Sequence, residues 1–283
     1  MKRYPAFFVL LAMAACPCVA WGPEGHRIVA EVAKKRLTAT AHQKIIQLLG
    51  NDDLAAISVW ADDIRPERPE SSAWHFVDIP MKAPAFSEAR DCYHPDEKIP
   101  ATINDHHNCV VDRIEIFQQA LSDPHARRDK RIEALKFLVH FVADVHQPMH
   151  AIGEARGGND IHVVEFGSTQ CGKSACNLHY AWDSGMIEHT GLAEPQYVSR
   201  IEQLIAAEKL TPNWLGAPPG WANESFRVAK QVWLGDGGEL GEEYYRKNIG
   251  VVDARLTLAG LRLAAYLNQA LGNRLTSAHA ANK

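Results

Sequence analysis

Apolar residues recur at helical spacing through most of the chain. Between Glu24 and Leu37 they fall at Ile28, Val29, Val32, Ala33 and Leu37, which predicts an amphipathic helix ending in the basic run Lys34-Lys35-Arg36, a solvated turn favoured by the helix dipole. A second helix is expected from Thr40, whose Thr-x-x-Gln spacing to Gln43 reads as a capping box, to a stop at Gly50. A third covers Leu54 to Ile64. The stretch from Pro80 to Asn108, rich in Pro, Asp and His, reads as a long loop, after which Val110 to Leu121 and Arg131 to Val145 resume the helical period. Pro148 breaks the last of these, Gly157-Gly158-Asn159 marks a turn, and Ile161 to Phe166 reads as one arm of a small β-hairpin. Val198 to Leu210, Glu224 to Leu234 and Val252 to Leu271 are again helical, the last with Leu256, Gly260, Leu263, Leu267 and Leu271 on one face. The expected fold is mainly α: one compact multi-helix domain, with a disordered tail after about residue 273.

The first residues change the picture of where this domain begins. Lys2 and Arg3, the apolar run Ala6 to Ala15 and the small residues of Cys18-Val19-Ala20 have the pattern of a secretory signal over residues 1–20, which puts the mature start at Trp21. Lipid attachment at Cys16, in Met13-Ala14-Ala15-Cys16, is the poorer alternative. The expected location is secreted or periplasmic, without stable membrane association. Without Lys2 and Arg3 the chain keeps 28 of its 30 Lys and Arg against 34 Asp and Glu, a net charge of −6, so it cannot grip nucleic acid through a broadly basic surface. Four cysteines remain, Cys92, Cys109, Cys171 and Cys176, and an oxidising compartment predicts two disulfides. Their order suggests Cys92 with Cys109 and Cys171 with Cys176, although three pairings are open; a structural cysteine–zinc site is disfavoured by the lack of Cys-x-x-Cys. Asn223-Glu224-Ser225 is a formal glycosylation acceptor.

Two His-x-x-x-Asp pairs carry the chemistry. His140 with Asp144 and His179 with Asp183 are spaced so that a helix puts both side chains on one face. The first pair lies in a run from Leu135 to Val145 that is apolar almost all round, and an unpaired carboxylate buried there would cost several kcal/mol. A bound cation accounts for it, as would a plain His–Asp hydrogen bond. Further candidate ligands are Trp21 through its terminal amine, His26, Asp62, His75 and His150; Pro148 turns the chain so that His150 re-enters near Asp144. Oxygen and imidazole donors with open positions suit catalytic zinc. By composition Asp63 competes with Asp62, while His42, His94, His106, His107, His125, His162 and His189 read as surface or structural. No glycine-rich phosphate loop and no Gly-x-Ser-x-Gly elbow occurs.

The ordered set Trp21-Gly22-Pro23-Glu24-Gly25-His26, Trp60-Ala61-Asp62-Asp63-Ile64-Arg65, His75-Phe76-Val77-Asp78, His140 to Asp144, Gln147-Pro148-Met149-His150, Gly157-Gly158-Asn159 and His179 to Asp183 resembles the secreted zinc-dependent single-strand nucleases and 3′-nucleotidases of the S1/P1 type. The resemblance runs from Trp21 to Asp183 and implies a helical fold shared with zinc-dependent phospholipase C. It implies three zinc ions: one on Asp62, His75, His140 and Asp144, a second on His150, His179 and Asp183, and a third on the amine and carbonyl of Trp21, His26 and a shared Asp144. It chooses Asp62 over Asp63, stacks a nucleobase on Phe76 and lets Asp78 accept hydrogen bonds from the base edge. Metals ~3.5–4 Å apart would supply a nucleophile and neutralise the departing 3′ oxygen, giving 5′-phosphorylated products or, from 3′-nucleotides, phosphate. Asp62 and Asp144 are the candidate catalytic ligands, and Arg65, one helical step from Asp62, is placed to hold a phosphate oxygen. An aromatic platform accepts only an unstacked base, hence the expected substrates: single-stranded DNA, RNA and 3′-nucleotides, cleaved by a monomer. Residues 167–177 offer no second stacking aromatic. A phospholipase C and a non-enzymatic exported zinc-binding protein are the alternatives.

Overall fold

The computed structural model describes residues 21–51, 53–92, 108–208 and 215–272. The proposed signal, the tail beyond 272, His94, His106 and His107, and most of the Pro80 to Asn108 loop lie outside the described residues. Long helices dominate: α1 (Pro23–Lys34), α2 (Ala39–Leu49), α3 (Val110–Ser122), α4 (Arg128–Asp144), α5 (Glu194–Glu208), α6 (Pro218–Val232) and α7 (Glu242–Leu271). α4 takes the centre because, apart from Lys136, every residue from Ala134 to Asp144 is buried, so no face is left for water. It is flanked by α1, α2, α3 and α7. α1 and α7 pack most closely at Gly260, where a Cβ would come within 2.4 Å of Val32 Cγ1.

The structure moves several expected boundaries. α2 is capped by Thr38, whose hydroxyl accepts from Ala41 N–H at 3.2 Å, so Thr40 lies inside the helix and its capping box does not form. Gly50 ends α2 as expected, at a φ of 86° that suits glycine. The third helix is broken into Leu54–Ile57, capped by Asp53, and Trp60–Asp63; the break at Ser58 frees a carbonyl that the functional site uses. The expected loop contains a turn of helix, Glu88–Asp91. α4, α5, α6 and α7 all start earlier than the apolar period suggests, α7 at Glu242. The first turns of α4 and α7 are largely exposed and so carry no apolar stripe, whereas α6 opens on the buried Pro218 and Trp221; Pro195 and Pro218 stand at the starts of α5 and α6, where a missing N–H costs nothing.

The strands also pair differently. β1 (Val163–Glu165) runs parallel to β4 (Gly238–Leu240), in the register Val163 with Gly238 and Glu165 with Leu240. The hairpin is instead β2 (Gln170–Cys171) with β3 (Ser174–Ala175), clasped by the Cys171–Cys176 disulfide. The other disulfide joins Cys92 to Cys109, so the pairing suggested by cysteine order is the one formed. Among the described residues no helix is long and apolar enough to cross a membrane.

Candidate metal centre

α4 ends at Asp144 inside the protein, and three short devices converge on that end. The first is the Trp60–Asp63 turn with the 3-10 helix Pro69–His75, which deliver Asp62 and His75. The second is the 3-10 turn Pro148–Ala151, which returns His150. The third is the segment Leu178–His189, helical at both ends with a π-turn, Ala181–Gly185, between them; it carries His179 and Asp183. Single π-turns of this kind recur at functional sites because the wider turn re-aims side chains.

The donors form two buried groups. In the first, Asp144 Oδ2 lies 3.0 Å from His75 Nδ1 and 3.3 Å from His140 Nε2, while Asp144 Oδ1 lies 3.4 Å from His26 Nε2. Asp62 Oδ1 is 3.7 Å from both His75 Nδ1 and His140 Nε2, and the His26 and His140 rings stack at 3.8 Å. In the second, Asp183 has His179 Nε2 at 3.3 Å from Oδ2 and His150 Nε2 at 3.8 Å from Oδ1. Four donors 2.0–2.1 Å from a common zinc ion would be roughly 3.3 Å apart, so both groups have the spacing of a coordination shell.

Hydrogen bonding fits the same reading. His140 Nδ1–H donates to Ser58 O (2.6 Å), His150 Nδ1–H to His75 O (2.8 Å) and His179 Nδ1–H to Gly157 O (2.8 Å), which turns each Nε2 lone pair inward. His26 Nε2, His150 Nε2, His179 Nε2, Asp62 Oδ2 and Asp144 Oδ1 are buried and have no hydrogen-bond partner, a costly arrangement unless a cation completes it. Burial, aided by nearby imidazoles or by Arg65, drives His26, His75 and His150 well below the usual imidazole range, and His179 down to about 4, so these four are neutral and able to ligate. Burial also opposes charge on His140, but Asp144 and Asp62 outweigh it and raise this group to about 9; burial lifts Asp144 to about 7 and Asp183 well above the carboxylate range. The carboxylates therefore want a positive charge beside them.

Trp21 is buried against this end of α4, its indole N–H donating to Ala143 O (2.9 Å), and Gly22 N–H donates to Asp183 O (2.9 Å). Gly22 has no room for a side chain, since a Cβ would stand 2.0 Å from Ser184 Oγ. Trp21 and Gly22 are thus hydrogen-bonded to the residue before Asp144 and to Asp183 itself.

Above them opens a cavity of about 310 Å³, lined by His75, His150 and His179 at its floor and by Arg65, Phe76, Asp78 and Arg156. The extended segment after His75 alternates: Val77 and Ile79 are buried, and Phe76 and Asp78 share the opposite face, towards the cavity. Phe76 O accepts from Val110 N–H (3.0 Å), Val77 N–H donates to His150 O (2.8 Å) and Ile79 O accepts from Gly153 N–H (3.0 Å), which locks this face in place. Arg65 Nη2 donates to Asp62 Oδ1 (2.5 Å), the i,i+3 contact expected from spacing.

The far wall is a left-handed turn. Ala155 and Arg156 have φ of 46° and 53°, and Gly157 and Gly158 follow at 64° and 83°. The two non-glycine residues cost roughly 1–2 kcal/mol each, a strain typical of ligand sites. Gly157 is needed outright, for a Cβ would fall 2.5 Å from Met149 O and 3.2 Å from His179 Nδ1.

The histidine and aspartate side chains expected as ligands converge here, and Asp63 stays exposed outside the cluster. His162 and His125 are exposed, and His189 stacks on Phe166 and bonds Glu242, away from the donors. Two positions have no role assigned from the sequence. Gln147 donates from Nε2 to Asp183 Oδ1 and accepts Met149 N–H on its Oε1, so it orients a ligand and caps the turn that carries another. His146 is buried behind α4, donating to Val142 O and accepting from Arg262 Nη1. There Arg255 donates to His146 O and Arg262 pairs with Glu224, so cations back the carbonyl end of α4.

The S1/P1 nuclease family model matches residues 21–272. Endonuclease 2 of Arabidopsis thaliana is 32% identical over 293 aligned residues, covering 93% of this chain and 95% of that protein. Nuclease P1 of Penicillium citrinum is 27% identical, covering 90% and 99%, and nuclease S1 of Aspergillus oryzae 26%, covering 88% and 91%. These matches favour nucleic acid over phospholipid as the substrate. With the matched span starting at Trp21 and enclosing every donor of the buried centre, the chain belongs to the S1/P1 nuclease family and is a hydrolase of phosphodiester bonds.

Proposed function

We propose that this nuclease is zinc-dependent, with three ions, and that it cleaves single-stranded DNA and RNA to 5′-phosphorylated products and releases phosphate from 3′-nucleotides. The observation that carries the reading is the set of buried, partnerless donor atoms on His26, Asp62, Asp144, His150 and His179, two of whose residues, His150 and His179, line the floor of a cavity walled by Phe76. The residues divide as the resemblance implies: Asp62, His75, His140 and Asp144 for one ion, His150, His179 and Asp183 for a second, and Trp21, His26 and Asp144 for a third. Bound there, zinc supplies a nucleophile at neutral pH and charge neutralisation at the leaving oxygen.

The chain's own groups do the rest. Phe76 stacks the base, and Asp78, beside it on the same face, accepts hydrogen bonds from the base edge. A base must leave its duplex neighbours to enter, which accounts for single-strand preference. Arg65, oriented by Asp62, holds a non-bridging oxygen of the scissile phosphate and stabilises the charge that grows on it. The uncharged His26, His75, His150 and His179 keep their lone pairs for the metals instead of holding protons. The protein is read as exported, processed at Ala20 and monomeric.

The test is to assay the chain starting at Trp21, and its Asp144→Asn variant, on single-stranded DNA, RNA, a 3′-nucleotide and phosphatidylcholine, before and after chelation and zinc return. Cleavage of the nucleotide substrates that chelation abolishes and zinc restores, and that Asp144→Asn lacks, is the expected result. Nuclease activity that survives full metal removal would sink the proposal.

A further inference from the structure

We infer that Arg156 binds the phosphate on the 5′ side of the nucleoside held in the Phe76–Asp78 cavity, so that the site distinguishes an internal or 5′-phosphorylated nucleotide from one with a free 5′-hydroxyl. The inference rests on the proposed function, in which the base lies on Phe76 and the 3′-phosphate faces Arg65 and the metals.

Three observations carry it. A nucleoside has three arms, the base, the 3′ oxygen and the 5′ carbon. A cavity of about 310 Å³ takes little more than one nucleoside, so with two arms directed inward the third leaves by the rim. Arg65 and Arg156 are the two guanidinium groups lining this cavity. Arg65 sits against Asp62 at the metal end, whereas Arg156 is 71% exposed, on the wall made by Gly157 and Asn159.

The backbone is built to keep Arg156 there. It holds a left-handed conformation that side chains other than glycine rarely adopt, on a turn whose next carbonyl, Gly157 O, is bonded to His179 Nδ1–H. The rim is therefore keyed to a ligand of the metal centre. Asp160 accepts from Arg156 Nε (3.0 Å) and Nη2 (2.6 Å), which fixes the plane of the guanidinium. A guanidinium of fixed plane matches phosphate geometry, and in a chain of net negative charge a polyanion has to be met by such local cations.

The experiment compares two dinucleotides that differ only in a 5′-phosphate or a 5′-hydroxyl, and reads the ratio of their kcat/KM values. The zinc-loaded wild type is expected to favour the 5′-phosphorylated one by about five- to tenfold, mainly through KM, with the preference shrinking as salt rises. Arg156→Gln, which keeps a polar side chain on the same backbone but removes the charge and ends two atoms short of the guanidinium nitrogens, brings the ratio close to one. Arg156→Lys restores part of it. A ratio that Arg156→Gln leaves unchanged, including an equal loss on both dinucleotides, overturns the inference while the nuclease reading stands. A wild type that cleaves neither dinucleotide overturns both.

Discussion

Replacing Gln147 with leucine should weaken one metal position and spare the others. The Gln147 side chain touches the second donor group twice, through Asp183 Oδ1 and through the Met149 N–H at the start of the turn that carries His150. A hydrogen bond to a buried charged group contributes about 1.5–3 kcal/mol, and about 1.4 kcal/mol corresponds to tenfold in a binding constant. Loss of an outer-shell partner of this kind therefore lowers metal affinity at His150, His179 and Asp183 by roughly 10- to 100-fold. The first donor group makes no contact with Gln147 among the hydrogen bonds described and should keep its affinity. Gln147→Glu separates the two contacts, because its carboxylate can still accept Met149 N–H but sets a second acid against Asp183. The assay is zinc per chain during competition with a graded series of chelators, with thermal melting to confirm folding. One weakened position per chain in both variants is expected. Unchanged affinity throughout in Gln147→Leu, or equal weakening of every position, would refute the reasoning and reduce Gln147 to a helix cap.

A chain that retains Ala20 ahead of Trp21 has a peptide N–H in place of an amine; it should bind one zinc fewer per chain than the chain starting at Trp21 and lose most nuclease activity, and equal metal content with full turnover would contradict this. Phe76→Ala should raise KM for single-stranded substrate roughly 5- to 150-fold, the equivalent of ~1–3 kcal/mol of stacking, with a smaller change in kcat; an unaltered KM would remove the platform. Glu165, buried on β1 so close to Gly185 that a Cβ there would strike it, is lifted by burial, with Glu188 adding to the effect, to about 7. The folded state holds this proton more tightly than the unfolded state, so the stability it contributes is complete at pH below the ordinary carboxylate value of 4.5 and is lost as pH rises towards 7. Glu165→Gln should therefore match wild type at pH 4 and exceed it by about 1–2 kcal/mol at pH 8, after allowance for solvent screening. Parallel denaturation curves at the two pH values check it, and an equal difference at both would be inconsistent with titration of Glu165.

The donors of the centre were readable in the sequence because few residue types bind metals and because spacing of four survives even the π-turn between His179 and Asp183. Phe76 and Asp78, singled out by the resemblance beside His75, line the cavity above those donors. What was hidden depends on partners distant in the chain. Gln147 has no local signature, since its role exists only once Asp183 arrives 36 residues later. His146 acquires its place from Arg262 on α7, and β1 from a parallel partner at Gly238–Leu240. The cap of α2 illustrates a different limit: Thr38 and Thr40 are equally able to cap, and the choice follows from Thr38 being extended and held by Asn268, whose side chain accepts Thr38 N–H. Likewise Gly157 and Gly158 announce a turn, but nothing local says that Ala155 and Arg156 share its left-handed backbone.

The Cys92–Cys109 bridge reaches the segment that carries Phe76 through backbone hydrogen bonds. Asn108 N–H donates to Cys92 O, and the residue after Cys109, Val110, donates its N–H to Phe76 O. The covalent link thus fixes the residue before α3, whose first N–H holds the Phe76 carbonyl, and the next residue of that segment, Val77, donates to His150 O. On the proposed reading, a chain reduced at this bridge is expected to weaken first in binding a nucleobase, seen as a raised KM for single-stranded substrate.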